Sequence, residues 1–130
     1  TRKESSAASD VYKRQEEWVF ERSLTITDGQ KLFSEWREMK EKPTAVFIAN
    51  DQVSAGMFLE AQRHQVDIPG SLAILSCDNQ PISEVLGIST IKLNIKEMGK
   101  HAFRLLRKRI GGAGPEKQTV PYKLIKRATV

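Results

Sequence analysis

The sequence predicts an α/β domain built on a parallel, doubly wound sheet. Short apolar runs of strand length alternate with longer stretches whose apolar residues recur at helical spacing. The runs are continuous rather than alternating, which suits strands covered by helices on both faces. Glycine, proline and capping residues punctuate the junctions, so the order reads as repeated strand–helix units.

The elements follow in order. Trp18-Val19-Phe20 is a short aromatic and β-branched run. Thr27 and Asp28 then offer N-cap chemistry to a helix with Leu32, Phe33, Trp36 and Met39 on one face. Lys40 and Lys42 suit the negative end of that helix, and Pro43 stops it. Ala45 to Ala49 is a buried-type strand, followed by a helix from about Gln52 to His64 with Val53, Met57, Phe58 and Ala61 as its apolar stripe. Pro69-Gly70 makes a turn into a second buried-type strand, Leu72 to Leu75. A short helical piece is expected around Ser83 to Leu86, then a strand from Ser89 to Leu93. Asn94 with Glu97 fits a capping box, opening a helix with Ile95, Met98, Ala102, Phe103, Leu106 and Ile110 turned inward. Gly111-Gly112 ends it, and a last strand runs through Val120 to Ile125, at an edge because of Pro121.

Composition narrows the class. A hydrophobic content of 39% with 28% charged residues fits a globular chain rather than a disordered one. No apolar run nears the roughly 20 residues that span a bilayer, and no apolar signal core opens the chain. A cytoplasmic protein without membrane association is the expectation. The single Cys77 excludes an internal disulfide, and no Cys/His spacing suggests zinc. Charge is uneven: residues 100–130 hold nine Lys/Arg against Glu116 alone, whereas residues 16–99 hold more acids than bases. The basic end reads either as a solvated helix face with an exposed strand or as a nucleic-acid patch, though no recognition-helix motif accompanies it.

In open α/β sheets, ligands bind at the carboxyl ends of strands. That rule selects Asn50-Asp51, Asp78-Asn79-Gln80 and Leu93-Asn94. Short amides and carboxylates can fork hydrogen bonds to vicinal hydroxyls. Asp51 reads as a helix N-cap or as a ligand group; Asn50 and Asp78 show no cap role from spacing and are candidates for binding. Enzyme chemistry is not expected, because His64 and His101 lack suitable neighbours, no phosphate loop occurs, and Cys77 reads as a small buried residue. No cofactor or metal is implied.

Four segments resemble the LacI/GalR family of transcription regulators. Pro43 to Gln52 (PTAVFIANDQ) is similar to the family's PTAVFAANDQ segment, and Val66 to Asn79 (VDIPGSLAILSCDN) to its IP…DN segment. Ser89 to Lys92 with Ile95 and Glu97-Met98-Gly99 is similar to a TTV…G stretch, and Leu124 to Thr129 (LIKRAT) to the closing LVxRxST. Together they cover nearly all of residues 16–130. The resemblance implies the C-terminal part of a type I periplasmic-binding-protein-like domain, a partial effector-binding and dimerisation domain over 16–130. The helix-turn-helix headpiece and most of the N-lobe would lie elsewhere. It further implies a small-molecule effector, a carbohydrate, gripped by Asn50 and Asp78. The family's aromatic stacking position falls on Leu24 after Ser23, and another contact position falls near Leu93. A homodimer is implied through Ala55, Phe58, Leu59, Val85 and Leu86, with operator DNA bound only through the headpiece. A periplasmic sugar-binding protein serving a transporter is the alternative with the same fold. Separately, Ser5 to Gln15 (SSAASDVYKRQ) resembles the translation of a transposase-based sequencing adapter, so residues 1–15 are expected to be a non-native, disordered leader.

Overall fold

A computed structural model describes residues 19–21 and 23–130; the expected leader and Trp18 lie outside the described residues. The first helix, α1, spans Ile26–Glu38 and is capped two or three residues earlier than Thr27 or Asp28 would place it: the Thr25 hydroxyl accepts from the Asp28 amide. Its face of Leu32, Phe33 and Trp36 is buried, as the spacing predicts, and the Trp36 ring donates to the Pro43 carbonyl at 2.9 Å. Val19 and Phe20 form no strand.

Strand β1 (Ala45–Phe47), helix α2 (Asp51–Arg63), strand β2 (Ala73–Cys77), the short helix α3 (Pro81–Val85) and strand β3 (Ser89–Lys92) follow. Helix α4 (Ile95–Ile110) and strand β4 (Lys123–Ile125) complete the described order. The sheet runs β1-β2-β3-β4, with β1, β2 and β3 parallel and β4 antiparallel at the edge beyond β3. This is the α/β class with a parallel-dominated sheet. The antiparallel last strand departs from an all-parallel expectation.

Register sorts the side chains by face, because neighbours across a ladder point the same way. Val46, Ile74, Ser76, Thr90 and Ile125 share one face. Ile74, Ser76 and Thr90 there are fully buried, and α2 lies against β2. Ala45, Phe47, Leu75, Ile91 and Leu124 share the other, where Phe47 is 61% and Leu124 52% exposed. The continuous apolar runs therefore predict two covered faces, and the described residues cover one.

The core lies between α1, α2 and the covered face. Gly29 and Gly56 let the two helices touch backbone to backbone: a Cβ on Gly29 would sit 2.0 Å from the Val53 carbonyl oxygen, and one on Gly56 2.0 Å from that of Ile26. Phe33, Met57, Ala61, Leu72 and Ile88 are among the side chains buried in this core.

Helix α4 corrects the sequence reading. Asn94 does cap it, accepting from the Glu97 amide at 3.4 Å, and Gly111 ends it. Its apolar stripe is not turned inward: no residue of α4 is buried, and Ile95, Met98, Ala102, Phe103, Leu106 and Ile110 all face solvent. The periodicity is real, but no described element lies against it.

Candidate functional site: a polar cluster at the carboxyl ends of β1 and β2

The strand-end rule places Asn50 just beyond β1 and Asp78 just beyond β2. Parallel neighbours end at the same edge, so the two side chains meet although 28 residues separate them. Asn50 Nδ2 donates to Asp78 Oδ2 at 3.2 Å. Asn50 is nearly buried, at 8% exposure, and Asp78 is half-buried. Asn50 also has the cap role that its spacing did not reveal: its Oδ1 accepts from the Gln52 amide at 2.9 Å, making Asn50 rather than Asp51 the N-cap of α2.

Asp51 is instead the hub beneath the cluster. Fully buried, its carboxylate accepts from the Ser76 hydroxyl (2.5 Å), the Thr90 hydroxyl (3.0 Å) and the Gln80 amide (2.5 Å). One side chain so ties the start of α2 to β2, β3 and the loop after Asp78. A buried carboxylate is costly unless its lone pairs are filled, and here neutral donors fill them.

The loop after β2 is unusual in its backbone. Asp78 (φ 109°) and Asn79 (φ 55°) both occupy the left-handed half of the map without being glycine. That region costs an ordinary residue about 1–2 kcal/mol, and Asn and Asp tolerate it best. Three main-chain anchors hold the turn: Asp78 N to the Ile91 carbonyl (2.9 Å), Asn79 N to Thr90 Oγ1 (3.3 Å), and Gln80 N to Asp51. A fourth comes from the C-terminal segment, where the Arg127 guanidinium donates to Asn79 Oδ1 at 2.9 Å.

Two glutamines complete the rim. Gln52 Nε2 donates to Gln80 Oε1 (3.1 Å), and Gln80 Nε2 lies 3.4 Å from Asp78 Oδ2. The strand-end rule selects Gln80 with Asp78 and Asn79; sequence reasoning missed Gln52 and Arg127. The available signal was that Asn50-Asp51-Gln52 and Asp78-Asn79-Gln80 are alike in composition and both follow strands. Asp78 Oδ1 keeps its lone pairs free of protein donors among the described residues, so it can accept from a ligand hydroxyl.

The other expected contacts stand apart. Ser23 and Leu24 are exposed ahead of α1, Leu24 at 64%, and no hydrogen bond joins them to the Asn50–Asp78 pair. Leu93 lies at the same sheet edge and is half-buried. Of the expected dimer surface, Ala55 is fully buried and Phe58 8% exposed, both in the chain's own core. Both pack within the chain rather than standing exposed on its surface. Leu59 is half-buried, Leu86 packs partly on the core, and Val85 is 82% exposed.

Cys77, read as a buried residue, is half-buried on the open sheet face. Burial first, then the charge of Asp78, pushes its thiol above the usual range. Among the described residues, no group of three His, Cys, Asp or Glu side chains could hold a metal ion, and no helix is long and apolar enough to cross a membrane.

Residues 2–130 match the periplasmic binding protein-like domain family. An uncharacterized HTH-type transcriptional regulator of Bacillus subtilis (strain 168), YkvZ, is 56% identical over 115 residues, which are 88% of this chain and 36% of that protein. The HTH-type transcriptional repressor PurR of Vibrio parahaemolyticus is 27% identical over 79% of this chain and 31% of its own length. Among solved structures, a LacI transcriptional regulator of Bacillus cereus subsp. cytotoxis superposes with a TM-score of 0.81 at 24% identity, over 89% of this chain and 43% of that one. The chain thus spans about a third of the length of the curated relatives it matches. Matched by the family model along almost its whole length, with HTH-type transcriptional regulators among its sequence relatives and LacI regulators among its structural neighbours, the chain belongs to the periplasmic binding protein-like domain family.

Proposed function

We propose that the chain is the effector-binding and dimerisation part of a LacI/GalR-type transcription regulator acting in the cytoplasm, with a carbohydrate as effector. The observation that carries this reading is the Asn50–Asp78 pair at adjacent strand ends, with Asp78 Oδ1 open to a hydroxyl. Gln52 and Gln80 add amides at the rim, the polar equipment that orients a polyol. The relatives' HTH-type character supports the regulator over a transport-linked binding protein. The open sheet face and the bare apolar side of α4 support a larger domain, in which further chain covers both. Val85, with Leu59 and Leu86 beside it, is what remains to face a second subunit. Operator DNA would be bound outside residues 16–130, and effector binding would shift the population of DNA-binding geometries.

The test is Asp78→Ala in the full-length regulator, titrated calorimetrically with hexoses, pentoses and their phosphates. Loss of one or two charge-assisted hydrogen bonds, each contributing about 1.5–3 kcal/mol, should weaken the best ligand by about one to three orders of magnitude while operator binding persists. Unchanged affinity in a variant that melts like the parent would remove Asp78 from the site.

A further inference from the structure

The Arg127 guanidinium occupies an uncommon position. It is half-buried, and among the described residues no carboxylate lies within ion-pair distance of it. Instead Nη1 donates to the Ile88 carbonyl at 2.7 Å and Nη2 to Asn79 Oδ1 at 2.9 Å. The fork bridges the chain just before β3 and the loop just after β2.

The base of this lever is held as firmly as its tip. The Arg127 amide donates to Ser89 Oγ at 2.9 Å. Two residues on, the fully buried Thr129 hydroxyl donates to the Ile74 carbonyl at 2.7 Å and accepts from the Ser89 amide at 2.9 Å. The C-terminal segment is therefore clasped onto β2 and β3, and the guanidinium extends from a fixed point. At its far end sits Asn79, the second of two consecutive residues with positive φ. Backbone in that region persists where the surroundings over-determine it. Three of the loop's anchors act on main-chain amides; Arg127 alone holds the Asn79 side chain.

We propose that Arg127 is a positioning residue for the effector loop: without touching ligand, it holds Asn79, and so fixes where the Asp78 carboxylate points. This rests on the reading of Asp78 as an effector contact. A planar fork reaching two oxygens on separate segments cannot be replaced by a single ammonium, so lysine is not conservative here. An aspartate at position 79 keeps an acceptor for the fork and tolerates the same backbone.

The experiment compares Arg127→Lys and Asn79→Asp with the parent chain by amide hydrogen exchange. Arg127→Lys should speed exchange at Asn79 and Gln80 about tenfold or more, leaving the Ile74 and Ser76 amides and the melting temperature close to the parent's; Asn79→Asp should keep the slow rates. Unchanged exchange at Asn79 and Gln80 in Arg127→Lys would overturn the proposal. So would uniformly faster exchange in step with a lower melting temperature, because that is a general structural role. In the full-length regulator, Arg127→Lys should weaken the sugar that Asp78→Ala weakens, by about tenfold. If Asp78→Ala leaves every sugar unaffected, the effector reading fails while the exchange data still decide whether Arg127 orders the loop. If Asp78→Ala weakens binding and Arg127→Lys does not, the positioning role alone fails.

Discussion

Helices α1 and α4 carry the same kind of sequence signal and meet opposite fates. Both have apolar residues at helical spacing, a side-chain cap at the start and basic residues in the last turn. In α1 that stripe is buried, with Phe33 at 1% exposure; in α4 Phe103 stands 66% exposed. The difference is the partner. Helix α1 meets α2 at a glycine crossing that brings the two backbones together, whereas among the described residues α4 is met by the 113–118 segment, which bonds His101 and Lys108 and leaves the apolar side chains exposed. Amphipathicity states that a face is fit for burial; a complementary surface decides whether it is buried.

Truncation to alanine should break the comparison most sharply. Phe33→Ala should cost about 3–5 kcal/mol, as for aromatic residues removed from a packed core. Phe103→Ala should stay within about 0.5 kcal/mol in denaturant titrations of the same chain, while lowering apolar-dye binding and self-association. Equal losses from the two would mean that α4 has a partner after all.

The helix glycines sharpen the contrast. Gly56→Ala puts a methyl against the Ile26 backbone and should cost about 1–3 kcal/mol or more, because neither helix can shift alone. Gly99→Ala in α4 meets nothing within 4 Å and should stabilise by about 0.5–1 kcal/mol, the usual helix preference for alanine. Paired melting curves would show opposite signs. A destabilising Gly99→Ala would place an unseen surface against α4.

The smallest effect concerns the open sheet face and the site behind it. With its thiol held above the usual range by burial and by Asp78, Cys77 holds less thiolate at any given pH below that range. Alkylation at pH 8 should therefore run several-fold slower than for an exposed cysteine, and Asp78→Asn should recover part of the rate. A rate equal to that of free thiol in the folded chain would show that neither influence operates.

The order of strands and helices was legible in the sequence because those signals are local. Caps, turns and periodicities lie within a turn or two of the residues they govern, so Asn94, Gly111 and the strand ends at Asn50 and Asp78 could be read directly. Cap positions at Thr25 and Asn50 slipped by one to three residues, since Thr25, Thr27, Asp28, Asn50 and Asp51 are all competent caps and only the backbone path selects among them.

What tertiary structure alone decided are the meetings across long separations. Asp51 joins Ser76, Gln80 and Thr90, and Arg127 reaches Asn79 across 48 residues. No periodicity encodes such pairs, because each depends on the register of strands contributed by separate parts of the chain. The burial of Ala55 and Phe58 was decided in the same way, by the packing of α2 into the chain's own core. Local chemistry determined which faces could be buried and which strand ends could bind. The three-dimensional path determined which of them met.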